Sequence, residues 1–381
     1  MGEMERVDAH LDLLCRGLGR VDEKFVRTVV KGILTARSLN LSKIATALNE
    51  NISLHATHKR LSRNLDNPSL HATLAQRLLE LGSQETSQNT RLFVHTYSLN
   101  KKYAQKIEYL DQAQASGFNV CEVLASDYES NRYVPLVSHV WSSTVPGFVS
   151  DADEIKRTLR RVLKITGQKS LIYLDDKSAV ARAVASEFLP DVDFEILSLM
   201  QEKTMEVECN GKRLSLQAVS ESIETEYGKI MFKLVPEGLV GTTETDMDLF
   251  MHVGTQTIKI LESNRPMSLI ALKVNSNYLG ELQTIPIVTS RTKLRSRKSL
   301  MGLVESFLSM QDVIQTHVSC RDQFKPADFR VLSFNRLQLL LTLLLTALQV
   351  EASTQGLASQ QIDVKPHDGD IHRTYLMPQE L

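Results

Sequence analysis

Between residues 91 and 189 the sequence pattern runs strand, strand, strand, helix, strand, helix, and this order limits the possible folds more than any other feature of the chain. RLFVHTYSL, FNVCEVLASD and VPLVSHVWSS are apolar runs rich in β-branched and aromatic residues, bounded by turn formers, as strands require. DADEIKRTLRRVLKIT follows with helical spacing; Ser150 stands at the N-cap position and acids fill the first turn, where the helix dipole favours them. LIYLDD is a short apolar strand ending in two acids, and SAVARAVASEFL is a second helix. Together these predict an α/β layer. A strand that ends in acids at a sheet edge is a candidate metal site.

The flanks differ from this centre. Residues 1 to about 85 show helical periodicity throughout and no period-two run of β-branched residues, which predicts a small helical domain. Within it, Lys24 to Arg63 holds eight basic residues (Lys24, Arg27, Lys31, Arg37, Lys43, Lys59, Arg60 and Arg63) and one acid, Glu50. LSKIATALNENISLHATHKRLSRNL reads as two short helices around Asn49 to Ser53, with Ile44, Leu48 and Leu61 apolar and His55, His58, Lys59, Arg60 and Arg63 on a polar face. A helix-turn-helix that lays its second helix in the major groove uses such residues on phosphates and base edges. An ordinary solvated helical hairpin has the same pattern.

After the link SQETSQNT and the α/β layer, Phe194 to Ser290 turns β-rich, with Asn210-Gly211 marking a tight hairpin turn. SRTKLRSRKSL then packs Arg291, Lys293, Arg295, Arg297 and Lys298 into eight positions ahead of a helix, a second candidate clamp for a phosphate backbone. Leu339 to Leu348 (LLLTLLLTAL) is too short to span a bilayer, which takes about 20 residues, and reads as a buried helix, so no membrane partner is expected. The tail after Glu351 is polar; its His367, Asp368, Asp370 and His372 match metal ligands by type, although such clusters in tails are commonly solvated.

At 381 residues the chain has room for two or three domains. The expected division is a helical DNA-binding domain over 1–85, the first part of the core over 90–193, a β-rich insertion over 194–290, the core's C-terminal helices over 291–350 and a flexible tail over 351–381. With 44 Lys and Arg against 45 Asp and Glu, net charge offers no global attraction for nucleic acid, so any such partner is held by local patches. Cys15, Cys121, Cys209 and Cys320 lie far apart with no C-x-x-C pair, against a zinc ribbon or a disulfide framework and in favour of a reducing, cytoplasmic setting. The opening MGEMERVDAHLDLL carries acids where a signal peptide needs cations, so secretion is not expected.

Two-metal phosphoryl transfer needs carboxylates converging from separate elements on ions about 4 Å apart. Several stretches here resemble, in order and spacing, the IS-four-type family of bacterial insertion-sequence DDE transposases. HKRLSRNLDNPSLHATL is similar to that family's N-terminal helical element, VHTYSLNKKYAQKIEYL to its first catalytic strand, and PLVSHVWSSTVPGF to its third strand. LIYLDDKSAVARAV is similar to the strand bearing the second catalytic Asp, and LVESFLSMQDV to the helix bearing the Glu. The resemblance covers most of residues 55 to 348. It implies a ribonuclease-H-like core interrupted by a β-rich insertion, and Mg2+ or Mn2+ as cofactor. It also implies double-stranded transposon-end and target DNA as partners, a homodimer that pairs two ends, and a bacterial, nucleoid-associated location.

Carried over by residue, the second Asp falls on Asp175 and the Glu on Glu305, both implied metal ligands. The first Asp position is occupied by His95, and no acid lies between Arg91 and Gln105. Where the family follows its second Asp with Arg and Gly stand Asp176 and Lys177; where it places Tyr, Arg and Lys around its Glu stand Lys298, Met301 and Asp312. Imidazole in place of carboxylate suits zinc or manganese better than magnesium. Two functions therefore stay open: metal-dependent cutting and joining of DNA with His95 as a substitute ligand, or a DNA-binding protein that has lost cleavage. Asp127, Asp111 or Asp176 are candidate replacement acids. Asp175 also fits a helix N-cap, Glu305 a solvated helix acid, His95 a hydrogen-bonded core histidine, and Trp141 either a base-stacking surface or core.

Overall fold

Asn, Ser and Pro set the boundaries of the first helices: α1 (Glu3–Cys15), α2 (Arg20–Ala36), α3 (Leu41–Leu48), α4 (Leu54–Asn64) and α5 (Pro68–Gln84). Asn40 caps α3 by accepting from Ser42 N at 3.0 Å, Ser53 caps α4 by accepting from Ala56 N at 3.2 Å, and Asn67 caps α5 with Pro68 in its first turn. Asn49 ends α3 in the left-handed region at φ 43°. At Gly32 on α2 an added Cβ would lie 2.7 Å from Ile44 Cγ2 and 3.3 Å from Leu48 Cγ, so α2 and α3 sit closer than any larger residue permits.

The computed structural model describes residues 3–87, 90–101, 106–111, 117–127, 132–166, 172–174, 195–200, 204–225, 227–236, 247–261, 266–276, 283–294, 296–354 and 371–377. The chain forms two units, Met1–Ser170 with Met310–Leu357, and Leu171–Ser309 with Ala358–Leu381. The first unit continues with β1 (Thr90–Asn100), β2 (Gly117–Asp127) and β3 (Arg132–Trp141), then α6 (Asp151–Thr166). The three strands are antiparallel neighbours in chain order, His95 standing opposite Glu122, with an irregularity in β2 at Val123/Leu124. Ser150 caps α6 by accepting from Asp153 N at 3.1 Å, as its sequence predicts.

The second unit begins with β4 (Ile172–Leu174) and β5 (Ile196–Leu199), which are parallel. Next come the hairpin β6 (Glu206–Cys209) and β7 (Lys212–Ser215), helix α7 (Leu216–Ser222), and strands β8 (Tyr227–Pro236), β9 (Met247–Ile260), β10 (Pro266–Ser276) and β11 (Gln283–Thr289). Asn210 and Gly211, at φ 51° and 74°, make the tight turn the dipeptide predicts. β11 pairs antiparallel with β5 through Ile287 and Leu199, so the β-rich segment extends the sheet of this unit.

Helix α8 spans Arg297–Gln323, and its residues from Met310 onward belong to the first unit, as does α9 (Phe334–Thr354). The apolar run Leu339–Leu348 is buried along α9. It shares one core with Leu11, Val29, Ile33 and Leu74 of the N-terminal helices and with Phe118 and Val140 of the strands. Gln349 closes the packing by donating to Leu78 O at 3.1 Å and Pro135 O at 2.7 Å. Residues 1–85 thus have no core separate from the strands and α9. In the C-terminal tail, β12 (Ile371–Met377) pairs parallel with β8. No helix among the described residues is long and apolar enough to cross a membrane.

Candidate nucleic-acid interface and the position of the first acid

The helical pair around Asn49–Ser53 folds as α3 and α4. On α4 the fourfold spacing divides the faces: Thr57 and Leu61 are buried, while His55, Lys59 and Arg63 form an exposed stripe one turn apart, with His58 half-buried beside them. No acid lies on α4.

The wider cation excess does not survive folding. Arg27 pairs with Asp12 and Glu23, Lys31 with Asp8, Arg37 with Glu351, Lys43 with Asp328, and Arg60 with Glu50. Acids outside the 24–63 window neutralise four of the eight, pairings invisible to a window count, and Glu50 within it takes a fifth. Arg60, expected on DNA, has its Nη2 2.6 Å from both Glu50 oxygens, and Thr57 donates to the same carboxylate at 3.0 Å. Its guanidinium fastens the turn to α4. Lys59 and Arg63 are the cations that this helix presents to solvent.

In the second unit the 291–298 stretch is mixed. Arg291 is engaged by Glu195, its Nε donating to Oε1 at 3.2 Å. Lys293, Arg297 and Lys298 are exposed, and Arg295 lies outside the described residues.

His95 sits in a closed polar cluster of the first unit. Its strand neighbour Glu122 is 1% exposed, and Glu122 Oε2 accepts from His317 Nε2 at 2.8 Å and from Arg321 Nη1 at 3.2 Å. His317 and Arg321 are one turn apart on α8, hence on one face. Tyr97 donates to Glu122 Oε1 at 3.3 Å. The Arg321 guanidinium lies 3.8 Å from the Tyr97 ring centroid, and the His95 ring stacks on Tyr97 at 5.8 Å. Tyr133 meets His317 edge-on at 5.7 Å.

Burial pushes the Glu122 carboxyl up, yet His317 and Arg321 outweigh it and hold it at about 2. Burial also lowers the pKa of His317, and its buried Nδ1 has no hydrogen-bond partner among the described residues. A protonated Nδ1 there would bury an unsatisfied donor. The permanent cation facing Glu122 is Arg321.

In this arrangement the carboxylate opposite His95 is engaged by the Arg321 guanidinium. Both His95 and Glu122 are buried, at 6% and 1% exposure. Nothing local in VHTYSLN marks the cluster, but a lone Glu in the apolar run FNVCEVLAS does, because a buried charge requires a partner.

Asp175 and Asp176 lie outside the described residues; Glu305 is half-buried on α8 in the second unit. Among the described residues no group of three or more His, Cys, Asp or Glu is placed to hold a metal. Asp111 is buried and accepts from the Ser143 hydroxyl, a turn-holding role, and Asp127 ends β2 opposite Arg132. Trp141 is core: 1% exposed, with Nε1 donating to Asp151 at 2.7 Å and its ring stacked on His139. In the tail cluster, His372 lies on β12, and His367, Asp368 and Asp370 are outside the described residues. All four cysteines are buried as free thiols.

No protein-family description matches the chain, and no curated protein matches it in sequence. A solved structure, a piggyBac transposase synaptic complex with hairpin DNA, aligns over 93% of this chain and 73% of its own at 9% identity with a TM-score of 0.45.

Proposed function

We propose that this chain is a double-stranded DNA-binding protein with a transposase-like, ribonuclease-H-like core, and that it grips DNA through α3 and α4 without cutting it. The observation that carries the proposal is the exposed His55, Lys59 and Arg63 stripe on the second helix of a capped helical pair, backed by buried Thr57 and Leu61. Cations at that spacing meet successive phosphates along a groove. Lys293, Arg297 and Lys298 provide a second phosphate contact.

Support for the core comes from each unit separately: an antiparallel β1–β2–β3 set followed by α6 in one, and a parallel β4–β5 pair in the other. That is the strand grammar expected of a ribonuclease-H-like domain. Support for the absence of cleavage comes from the position of the first acid. His95, Glu122, His317 and Arg321 there form a buried network in which the Glu122 carboxylate is paired with the Arg321 guanidinium. Transposon-end DNA is the ligand from which such a protein would have descended, and a homodimer is the assembly that pairing two ends requires.

The test is binding of the full chain to a labelled 30-base-pair duplex over a salt series, in Mg2+ and in Mn2+, with the strands resolved afterwards. The proposal expects binding that weakens steeply with salt and leaves both strands intact. Binding that is flat in salt, or absent at low salt, contradicts the DNA role; nicked strands contradict the loss of cleavage.

A further inference from the structure

Two aliphatic side chains flank the cap of α4 and face solvent: Ile52 is 51% exposed and Leu54 53%. An apolar residue preceding the N-cap ordinarily packs against the fourth helical residue. Here that partner is Thr57, buried and turned to Glu50, so Ile52 is left outward. Glu50, the acid of this turn, is neutralised by Arg60. The tip of the helical pair therefore carries two exposed aliphatic side chains beside exposed Asn51 and Ser53, has no net negative charge, and leads into the stripe of His55, Lys59 and Arg63. Ile52 and Leu54 can offer a base edge only apolar contact, whereas Asn51 and Lys59 are of the types that read a purine by a two-pronged hydrogen bond.

We infer that Ile52 and Leu54 form a base-reading element that packs on thymine 5-methyl groups in the DNA major groove, giving the protein a preference for thymine-containing steps. The inference rests on the DNA reading of α4. Charge complementarity selects the occupant: the exposed aliphatic pair sits at the head of a row of cations, and a duplex supplies phosphates alongside a groove whose apolar feature is the thymine methyl. Burying one methyl group against an aliphatic side chain is worth about four-fold in affinity.

The experiment compares binding of the full chain to a duplex of alternating dA and dT with binding to the same duplex carrying uracil for thymine, which differs only by the methyl groups. Wild type is expected to bind the thymine duplex about four-fold or more tighter. Ile52→Ala and Leu54→Ala should bring the ratio towards one, whereas Lys59→Ala should weaken both duplexes and keep the ratio. The ratio is internal to each protein preparation, so a partly unfolded variant does not distort it. Equal binding of both duplexes by wild type, or a ratio that survives in both Ala variants, overturns the inference and leaves the DNA reading of α4 standing. Absence of binding to either duplex at low salt overturns both.

Discussion

His317 and Glu122 are separated by 195 positions in sequence, yet Nε2 of one lies 2.8 Å from Oε2 of the other, with side chains 0% and 1% exposed. With Arg321 they hold the C-terminal half of α8 on the β1–β3 layer through a single carboxylate. Removing that carboxylate leaves the buried guanidinium only the exposed Asp322 as counter-charge. Glu122→Ala is expected to destabilise the first unit by about 3–5 kcal/mol, read from urea unfolding. A loss below about 1 kcal/mol would show that the cluster is solvated.

Acid should weaken this unit in two stages. Burial, with lesser effects of Arg161 and His139, lowers the His71 pKa to about 4 from its ordinary 6.5. A depressed histidine contributes stability that is complete above 6.5 and is lost as pH falls towards 4. The Glu122 carboxyl, held at about 2, adds a second loss below about 4.5. His317, also lowered, has the same sign. The urea midpoint should drop between pH 7.5 and 5, and His71→Gln, which retains a polar partner for Thr342, should flatten that drop. A midpoint that is constant over this range contradicts the burial of His71.

Two glycines on helices should respond in opposite directions to alanine. Gly32→Ala places a methyl 2.7 Å from Ile44 Cγ2 and should cost about 1–3 kcal/mol by wedging α2 from α3. Gly302→Ala on α8 meets nothing within 4 Å and should stabilise by about 0.5–1 kcal/mol through helix propensity. Thermal unfolding reads both. The same sign in the two variants would contradict the close packing of α2 on α3.

Restoring an acid at position 95 should not restore chemistry. In His95→Asp the new carboxylate would stand opposite Glu122 in the same closed cluster, where like charge and burial both disfavour ionisation. The expected outcome is an unnicked duplex in Mg2+ and in Mn2+, together with lower stability. Nicking by His95→Asp that is abolished by adding Asp175→Ala would establish an intact metal site and contradict the proposed loss of cleavage.

The parts legible in the sequence were those decided locally. Period-two and 3.6-residue patterns located β1–β3, α6 and the α3–α4 pair, and Ser150 and Asn210-Gly211 performed the cap and turn that their chemistry dictates. What the sequence hid was decided by distant partners. The cations of 24–63 read as a surface patch in sequence because Asp328 and Glu351, which neutralise Lys43 and Arg37, lie about 300 residues away. The surroundings of His95 were hidden in the same way, since Glu122, His317 and Arg321 lie outside its own motif. The tail strand β12 was concealed for the same reason, since it pairs with β8.

The central claim is that α4 touches the phosphates, and its salt dependence tests that most directly. The logarithm of affinity for a duplex should fall linearly with the logarithm of salt concentration, and each phosphate contact contributes about 0.9 to the slope. Measured on the full chain, Lys59→Ala and Arg63→Ala should each reduce the slope by about that amount, and the double variant by about 1.8. A wild-type slope that neither variant changes would contradict the account, placing the DNA elsewhere on the protein or nowhere.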